Sequence, residues 1–144
     1  MQLSETIKLY PTKYQKALIE QTMSEYIDTV NDLVSLAVSG TSIAKYTTAD
    51  VSCNLPSALA NQCIRDAKSI VKKHYKSCHA AILKNRKGSF KSTAPKLPVI
   101  KKPCCYINNQ NFKIDDNCIS FPVLIEGKSK RLSVKSSLTE RQVC

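Results

Sequence analysis

The apolar pattern of this chain changes period twice, and that order limits the fold more than any other feature. Residues 2–10, QLSETIKLY, alternate as a half-buried strand does, with Leu3, Glu5, Ile7 and Leu9 on one face and Ser4, Thr6, Lys8 and Tyr10 on the other. From Pro11 to about residue 83 the period is helical, and from Cys104 it returns to two. A single strand needs partners, so the sheet mates of the first strand lie beyond the helices. The expected class is α+β: a small, incomplete antiparallel β-barrel interrupted by an insert of two long helices. Residues 1–10 would give the first barrel strand, 11–83 the helical insert, 84–102 a basic arm and 103–144 a β-meander.

Thr12 and Gln15 form a T-x-x-Q capping box after Pro11, in which each side chain satisfies the other's orphan backbone donor. The helix it opens runs to about Ser39, with Tyr14, Leu18, Met23, Tyr26, Ile27, Val30, Leu33, Val34, Ala37 and Val38 as its apolar stripe. Gly40 supplies a left-handed stop. Residues 41–54 connect it to the second helix, and Thr48 suits the cap of a short turn. Pro56 suits the first position of that second helix, where a missing N–H costs nothing. Leu59, Cys63, Ile64, Ala67, Ile70, Val71 and Tyr75 make its apolar stripe. The two stripes would pair as an antiparallel hairpin or small bundle.

Charge is distributed unevenly. The net charge is +11, yet residues 1–40 hold three Lys against five acids, while residues 65–135 hold seventeen Lys or Arg against four. Such asymmetry points to a polyanionic partner, nucleic acid before membrane. No apolar run approaches the ~18 residues that span a bilayer, and no signal peptide pattern opens the chain, so a cytoplasmic setting is expected. On the second helix Asn61, Gln62, Arg65, Lys68, Lys72, Lys73 and Lys76 fall mostly off the apolar stripe, making a cationic face able to meet phosphate or simply to be solvated. The arm adds Lys84, Arg86, Lys87, Lys101 and Lys102 without a single acid, and cannot bury itself. Lys128, Lys130 and Arg131 add cations to the final strand.

Seven cysteines stand at irregular spacing with no C-x-x-C, against both a disulfide framework and a paired-ligand zinc site. His74, Cys78 and His79 are the one local cluster of metal-ligand type, and no second ligand pair follows. Neither a metal nor a cofactor is expected. Beyond Cys104, short strands are expected at Cys105–Ile107, Phe112–Ile114, Ile119–Ile125 and Lys128–Val134, with Glu126-Gly127 as a hairpin turn. Pro122 marks an edge or bulge. Asp115-Asp116 reads as a turn, since turns favour Asp and neighbouring residues point apart.

Three blocks taken in order carry a family resemblance: KLYPTKYQKALIEQTMSEYIDTVNDLVS, then LPSALANQCIRDAKSIVKKHYK, then KLPVIKKPCCYINNQNFKIDDNCISFPV with GKSKRLSV. Together they resemble the N-terminal part of the TnpB-like (OrfB) transposon-associated proteins of bacterial insertion sequences, related to type V CRISPR effector nucleases. The resemblance implies a wedge-like barrel with a helical recognition insert, holding a guide RNA and reading a short motif beside the DNA target. It places Tyr46, Thr47, Asn61 and Gln62 where the insert meets that duplex, and Asn108, Asn109 and Gln110 where the barrel does. Amide side chains can read base edges while Lys and Arg hold phosphates, though Asn108 to Asn111 also reads as a plain polar turn.

The family's RNase H-like nuclease and its metal-binding carboxylates have no counterpart in these residues. The expectation is therefore a truncated, nucleic-acid-binding fragment without catalysis of its own, its open sheet edge inviting self-association. Two alternatives stay open: a stand-alone regulator of helix-turn-helix type, and a protein-interaction module or non-functional remnant.

Overall fold

The computed structural model describes residues 4–86, 96–102, 104–107, 111–115 and 117–137. Its elements are β1 (Lys8–Tyr10), α1 (Lys13–Val38), a 3-10 turn (Thr48–Asp50), α2 (Ser57–Arg86), β2 (Lys113–Asp115), β3 (Cys118–Ile125) and β4 (Lys128–Ser137). The fold is α+β, with an open four-stranded antiparallel sheet in the order β1-β4-β3-β2. Both helices lie in the chain between β1 and β2, the two edge strands, and β1 closes back on the last strand, β4.

α1 is the spine. Its capping box forms as the sequence indicates: the Gln15 N–H donates to Thr12 Oγ1 at 3.2 Å and the Thr12 N–H to Gln15 Oε1 at 3.0 Å. Gln15 Nε2 also donates to the Ser133 carbonyl at 2.9 Å, tying the cap to β4. At the other end Gly40 (φ 115°) allows a Schellman turn, in which the Gly40 N–H donates to Ala37 O and the Thr41 N–H to Leu36 O. The N-terminal half packs on the sheet through Leu18, which joins Val123, Leu132 and Val134 in one small core. The C-terminal half packs on α2 through Tyr26, Val30, Leu33, Val34 and Ala37, against Leu59, Cys63, Ala67 and Val71. Tyr14, expected in the apolar stripe, is exposed.

The helices run parallel, which corrects the expected antiparallel hairpin. Cys63 Sγ donates to the Tyr26 carbonyl at 3.7 Å, the Tyr26 hydroxyl to Asp66, and the Tyr75 hydroxyl to the Ala37 carbonyl at 3.2 Å. Partners advance together along both helices. The connection is long enough to travel back beside α1: Lys68 Nζ reaches the Ala44 carbonyl, and the Asn54 N–H reaches Glu25. Its residues Ile43, Val51, Cys53 and Leu55 pack on the helix pair on the way. Pro56 stands one position before the place expected for it. Its carbonyl accepts the Ala60 N–H at 2.9 Å, so it caps the helix that Ser57 begins.

A second return runs over residues 98–102 and 104–107. Asn31 grips it as a strand would, with Nδ2 donating to Ile100 O at 3.0 Å and Oδ1 accepting the Ile100 N–H at 2.8 Å. Ile100, Cys105 and Ile107 pack on the helical core, and the Tyr106 ring meets Tyr26 edge-on at 6.4 Å. Cys105–Ile107 is thus not the expected strand, because Asn31 and the helical core take up the segment instead. Likewise Lys84 and Arg86, assigned by sequence to the arm, finish α2.

The hairpin of β3 and β4 turns on Glu126 (φ 49°) and Gly127 (φ 73°), the two positive angles of a type I′ turn. Leu132, Val134 and Ser136 face inward and Arg131, Ser133 and Lys135 outward. β2 covers β3 only over Cys118–Ser120, so β3 is an edge from Phe121 on. There the Leu124 N–H turns away from β4 and donates to Thr22 Oγ1 at 3.1 Å, whose own hydroxyl donates to Leu18 O. Pro122, two residues earlier on the same side, has no N–H to leave unpaired. Its neighbours pair with β4 in unbroken register.

Burial has a consequence for pH. Burial raises the pKa of Tyr26 and of Cys63, with Asp66 adding to the first and Cys53 to the second, and it pushes the Cys105 thiol up to about 11. All three are neutral when protonated, so folding favours the protonated forms. The stability they contribute is complete below the unfolded values of about 8.5 for Cys and about 10 for Tyr. It is lost as pH rises through 11. Thermal melts followed by circular dichroism should show a fall on the order of 10 °C between pH 8 and pH 11. A flat midpoint over that range would mean that these groups ionise without cost to the fold.

Candidate nucleic-acid interface

α2 has one acid in thirty residues, Asp66, and that carboxylate is engaged by the Tyr26 hydroxyl. The cations and polar side chains of α2 are ordered by helical spacing. Asn61, Arg65, Lys68, Lys72, Lys76, His79 and Arg86 follow at intervals of three, four or seven residues, which puts them along one side. At 1.5 Å per residue this side is about 37 Å long. Gln62, Lys73 and Lys84 lie on the adjoining flank at spacings of eleven residues. Arg65, Lys72, Lys73, Lys76, Lys84 and Arg86 are exposed. Lys68 is half-buried, its ammonium donating to the Ala44 carbonyl at 2.9 Å. Lys84 and Arg86 also complement the partial negative charge at the helix C-terminus.

Among the described residues the only ion pair is Lys16–Glu20, at the far end of α1. No α2 cation has a carboxylate partner there. A helix surface built only for solubility ordinarily alternates signs at i, i+4. This one presents a single sign over its exposed length.

The other expected residues divide into three groups. Tyr46 is half-buried against the helical core. Thr47 beside it is bound locally: its N–H and hydroxyl both reach Asp50 Oδ2, at 2.8 and 3.0 Å, and these bonds hold the Asp50 carboxyl below its usual range. The 3-10 turn that follows packs on α2, so this segment does neighbour the stripe. Lys101 and Lys102 are exposed on the second return strap, where Lys101 shares a shallow depression with Glu20 and Asp28 of α1. Lys128, Lys130 and Arg131 are exposed on the sheet, and the Arg131 guanidinium donates to the carbonyls of Asn111 and Ser120 at 3.3 Å.

The sheet reaches along α1 as far as Thr22, and the C-terminal turns of α2 begin level with Ala37, a span of about 22 Å at 1.5 Å per residue. The structure therefore does not bring the sheet cations together with the C-terminal cations of α2. Lys87, Asn108, Asn109 and Gln110 lie outside the described residues.

Two residues of the interface escape a reading by composition: His79, which continues the stripe three residues after Lys76, and Tyr75, which was assigned to the buried stripe and is instead 51% exposed. The i+3 spacing, from Lys72 to Tyr75 and from Lys76 to His79, is the available signal. The His74 and Cys78 side chains approach to 3.6 Å, and among the described residues no group of three potential ligands is placed to hold a metal ion. Nor is any described helix long and apolar enough to cross a membrane. Asp115 closes β2 opposite Cys118, while Asp116 lies outside the described residues. No family model, characterised protein or solved structure matches the chain.

Proposed function

We propose that this chain binds nucleic acid, with the exposed stripe of α2 holding the phosphate backbone, as the guide- and target-holding segment of a TnpB-like RNA-guided nuclease would. The observation that carries the reading is the stripe: Arg65, Lys72, Lys76 and Arg86, exposed on one side of a helix and unneutralised by any described carboxylate. Asn61 stands at its N-terminal end, where an amide able to read a base edge would sit beside phosphate-holding cations. The insertion of both helices between strands β1 and β2 of one sheet is the arrangement the family resemblance implies. The reading assigns binding, and no cleavage, to this chain. Its described cysteines are all free, which supports a reducing, cytoplasmic setting.

The helix-turn-helix alternative is less favoured. That motif joins two steeply crossed helices through a turn of three or four residues. Here α1 and α2 run parallel, joined by a return that spans Ser39 to Pro56.

Fluorescence anisotropy with structured RNA, duplex DNA and heparin, each over a salt series, tests the proposal. Five or more neutralised phosphates give a log–log slope of about −4.5 or steeper on B-DNA. The expected result is such a slope, with RNA or DNA bound several-fold more tightly than heparin. Equal binding of all three, or none at low salt, would reduce the stripe to a solvated surface.

A further inference from the structure

An open groove of about 870 Å³ lies between α2 and the loop that follows α1. That volume falls within the range of small-molecule sites. Ile43, Val71 and Tyr75 give it an apolar floor, and Lys72 and Lys76 with the His79 imidazole a polar rim. The loop wall is fixed from both ends. The Schellman turn at Gly40 sets its start, and the Lys68 ammonium braces it at Ala44.

Tyr75 is oriented against the ordinary habit of its type. A tyrosine at a surface usually buries its ring and keeps the hydroxyl wet. Here the hydroxyl is consumed by the Ala37 carbonyl, at 3.2 Å, while the residue is 51% exposed. The exposed part is then ring carbon, held in place by its own polar end. Lys72 stands three residues before it and His79 four after, on the same side of the helix.

We propose that this groove accepts an unpaired nucleobase, which stacks on the Tyr75 ring while its flanking phosphates lie on Lys72, Lys76 and His79. The inference rests on the nucleic-acid reading above and narrows it to single-stranded or unpaired nucleotides, of DNA or RNA. A duplex keeps its bases stacked inside and can offer the groove only its phosphates. An unpaired base offers a flat apolar face together with two flanking charges, which is the complement of a ring set among cations. An acidic peptide would satisfy the rim but has no such face for the ring.

The test compares the full chain with Tyr75→Leu and Tyr75→Phe variants. Each is titrated with single-stranded dT and rU dodecamers and with a duplex of equal length. Loss of one base–aromatic stack corresponds to a roughly 5- to 150-fold weakening. Tyr75→Leu is expected to lose that much for single strands and to keep duplex binding within about twofold, while Tyr75→Phe, which keeps the ring and loses its anchor to Ala37, keeps duplex binding and weakens single strands less than Tyr75→Leu does. A strand carrying 2-aminopurine should be quenched by the parent chain and by Tyr75→Phe, and not by Tyr75→Leu. A loss confined to dT or to rU identifies DNA or RNA as the ligand. Equal weakening of single strand and duplex, no weakening of either, or displacement of the strand by polyglutamate as readily as by unlabelled strand would overturn the inference. In those cases salt-dependent binding above heparin would still uphold the wider reading, and its absence would remove both.

Discussion

Reversing Arg65, Lys72 and Lys76 to glutamate together should lower nucleic-acid affinity roughly a thousandfold near 50 mM salt and flatten the log–log slope by about 2.7. The magnitude follows from counterion release. Each phosphate neutralised contributes about 0.9 to the slope, so three lost contacts remove about 2.7, and the lost entropy of release is largest where salt is scarce. All three side chains are exposed, so the fold should tolerate the change within about 0.5 kcal/mol per site. The matching control reverses Lys128, Lys130 and Arg131. They lie beside Pro122 to Ile125, level with Thr22 of α1 and about 22 Å along it from Ala37, and are expected to give the smaller loss. Unchanged affinity in the α2 triple variant, with a normal melt, would mean that the stripe meets only water. A larger loss at the sheet would move the main interface there.

The elements of this fold were legible in the sequence, and their directions were not. The capping box at Thr12 and Gln15, the stop at Gly40, the turn at Glu126-Gly127 and the alternation through Leu132 and Val134 are local signals, each fixed by a few neighbouring residues. They appear as the sequence implies. The relative direction of α1 and α2 is set by what the connection does, and nothing in residues 41–54 announces that they travel back beside α1. The contacts that hold them there, such as Lys68 with Ala44 and Asn54 with Glu25, join residues 24 and 29 apart. The segment at Cys105 fails as a strand for the same reason: Cys105 and Ile107 pack on the helical core, and the Tyr106 ring meets that of Tyr26, at a sequence distance of 80. Thr22 was passed over because a polar residue on a buried face looks like an interruption of the stripe. Its hydroxyl instead serves two backbone groups at once, one on each side of the helix–sheet contact.

The site shows the same division. The cations of α2 could be read from spacing alone, because one helix orders them. The groove beside them could not, because its second wall comes from the returning loop. Tyr75 belongs by period to the edge of the apolar stripe, and only the partner helix decides whether such a residue is covered. α1 ends at Val38, level with Tyr75, so α2 continues past it without cover. Ile82 and Leu83, 51% and 43% exposed, are apolar residues beyond the reach of the partner.

That difference in cover sets the largest stability effect expected. Leu59→Ala should cost about 2–5 kcal/mol, the usual range for emptying a fully buried leucine site. Small domains hold about 5–15 kcal/mol in all. Leu59 has no exposed surface, and its cluster joins α1, α2 and both return straps, through Tyr26, Val34, Ile43 and Cys63. A cavity there opens in a cluster to which α1, α2 and both returns contribute, so its collapse pulls on all of them. α1 also carries Leu18 and Thr22 to the sheet, so loss of its C-terminal half removes the support of β3. The melt should therefore shift as one transition, by about 10 °C or more, with far-ultraviolet circular dichroism and near-ultraviolet tyrosine signals moving together. Ile82→Ala, the same chemistry on the uncovered turns, should change the midpoint by little. Two separate transitions in Leu59→Ala would show that the sheet stands without the helices, and that α1 links two independent units. A shift as large in Ile82→Ala would place a partner, such as a second copy of the chain, over the uncovered end of α2.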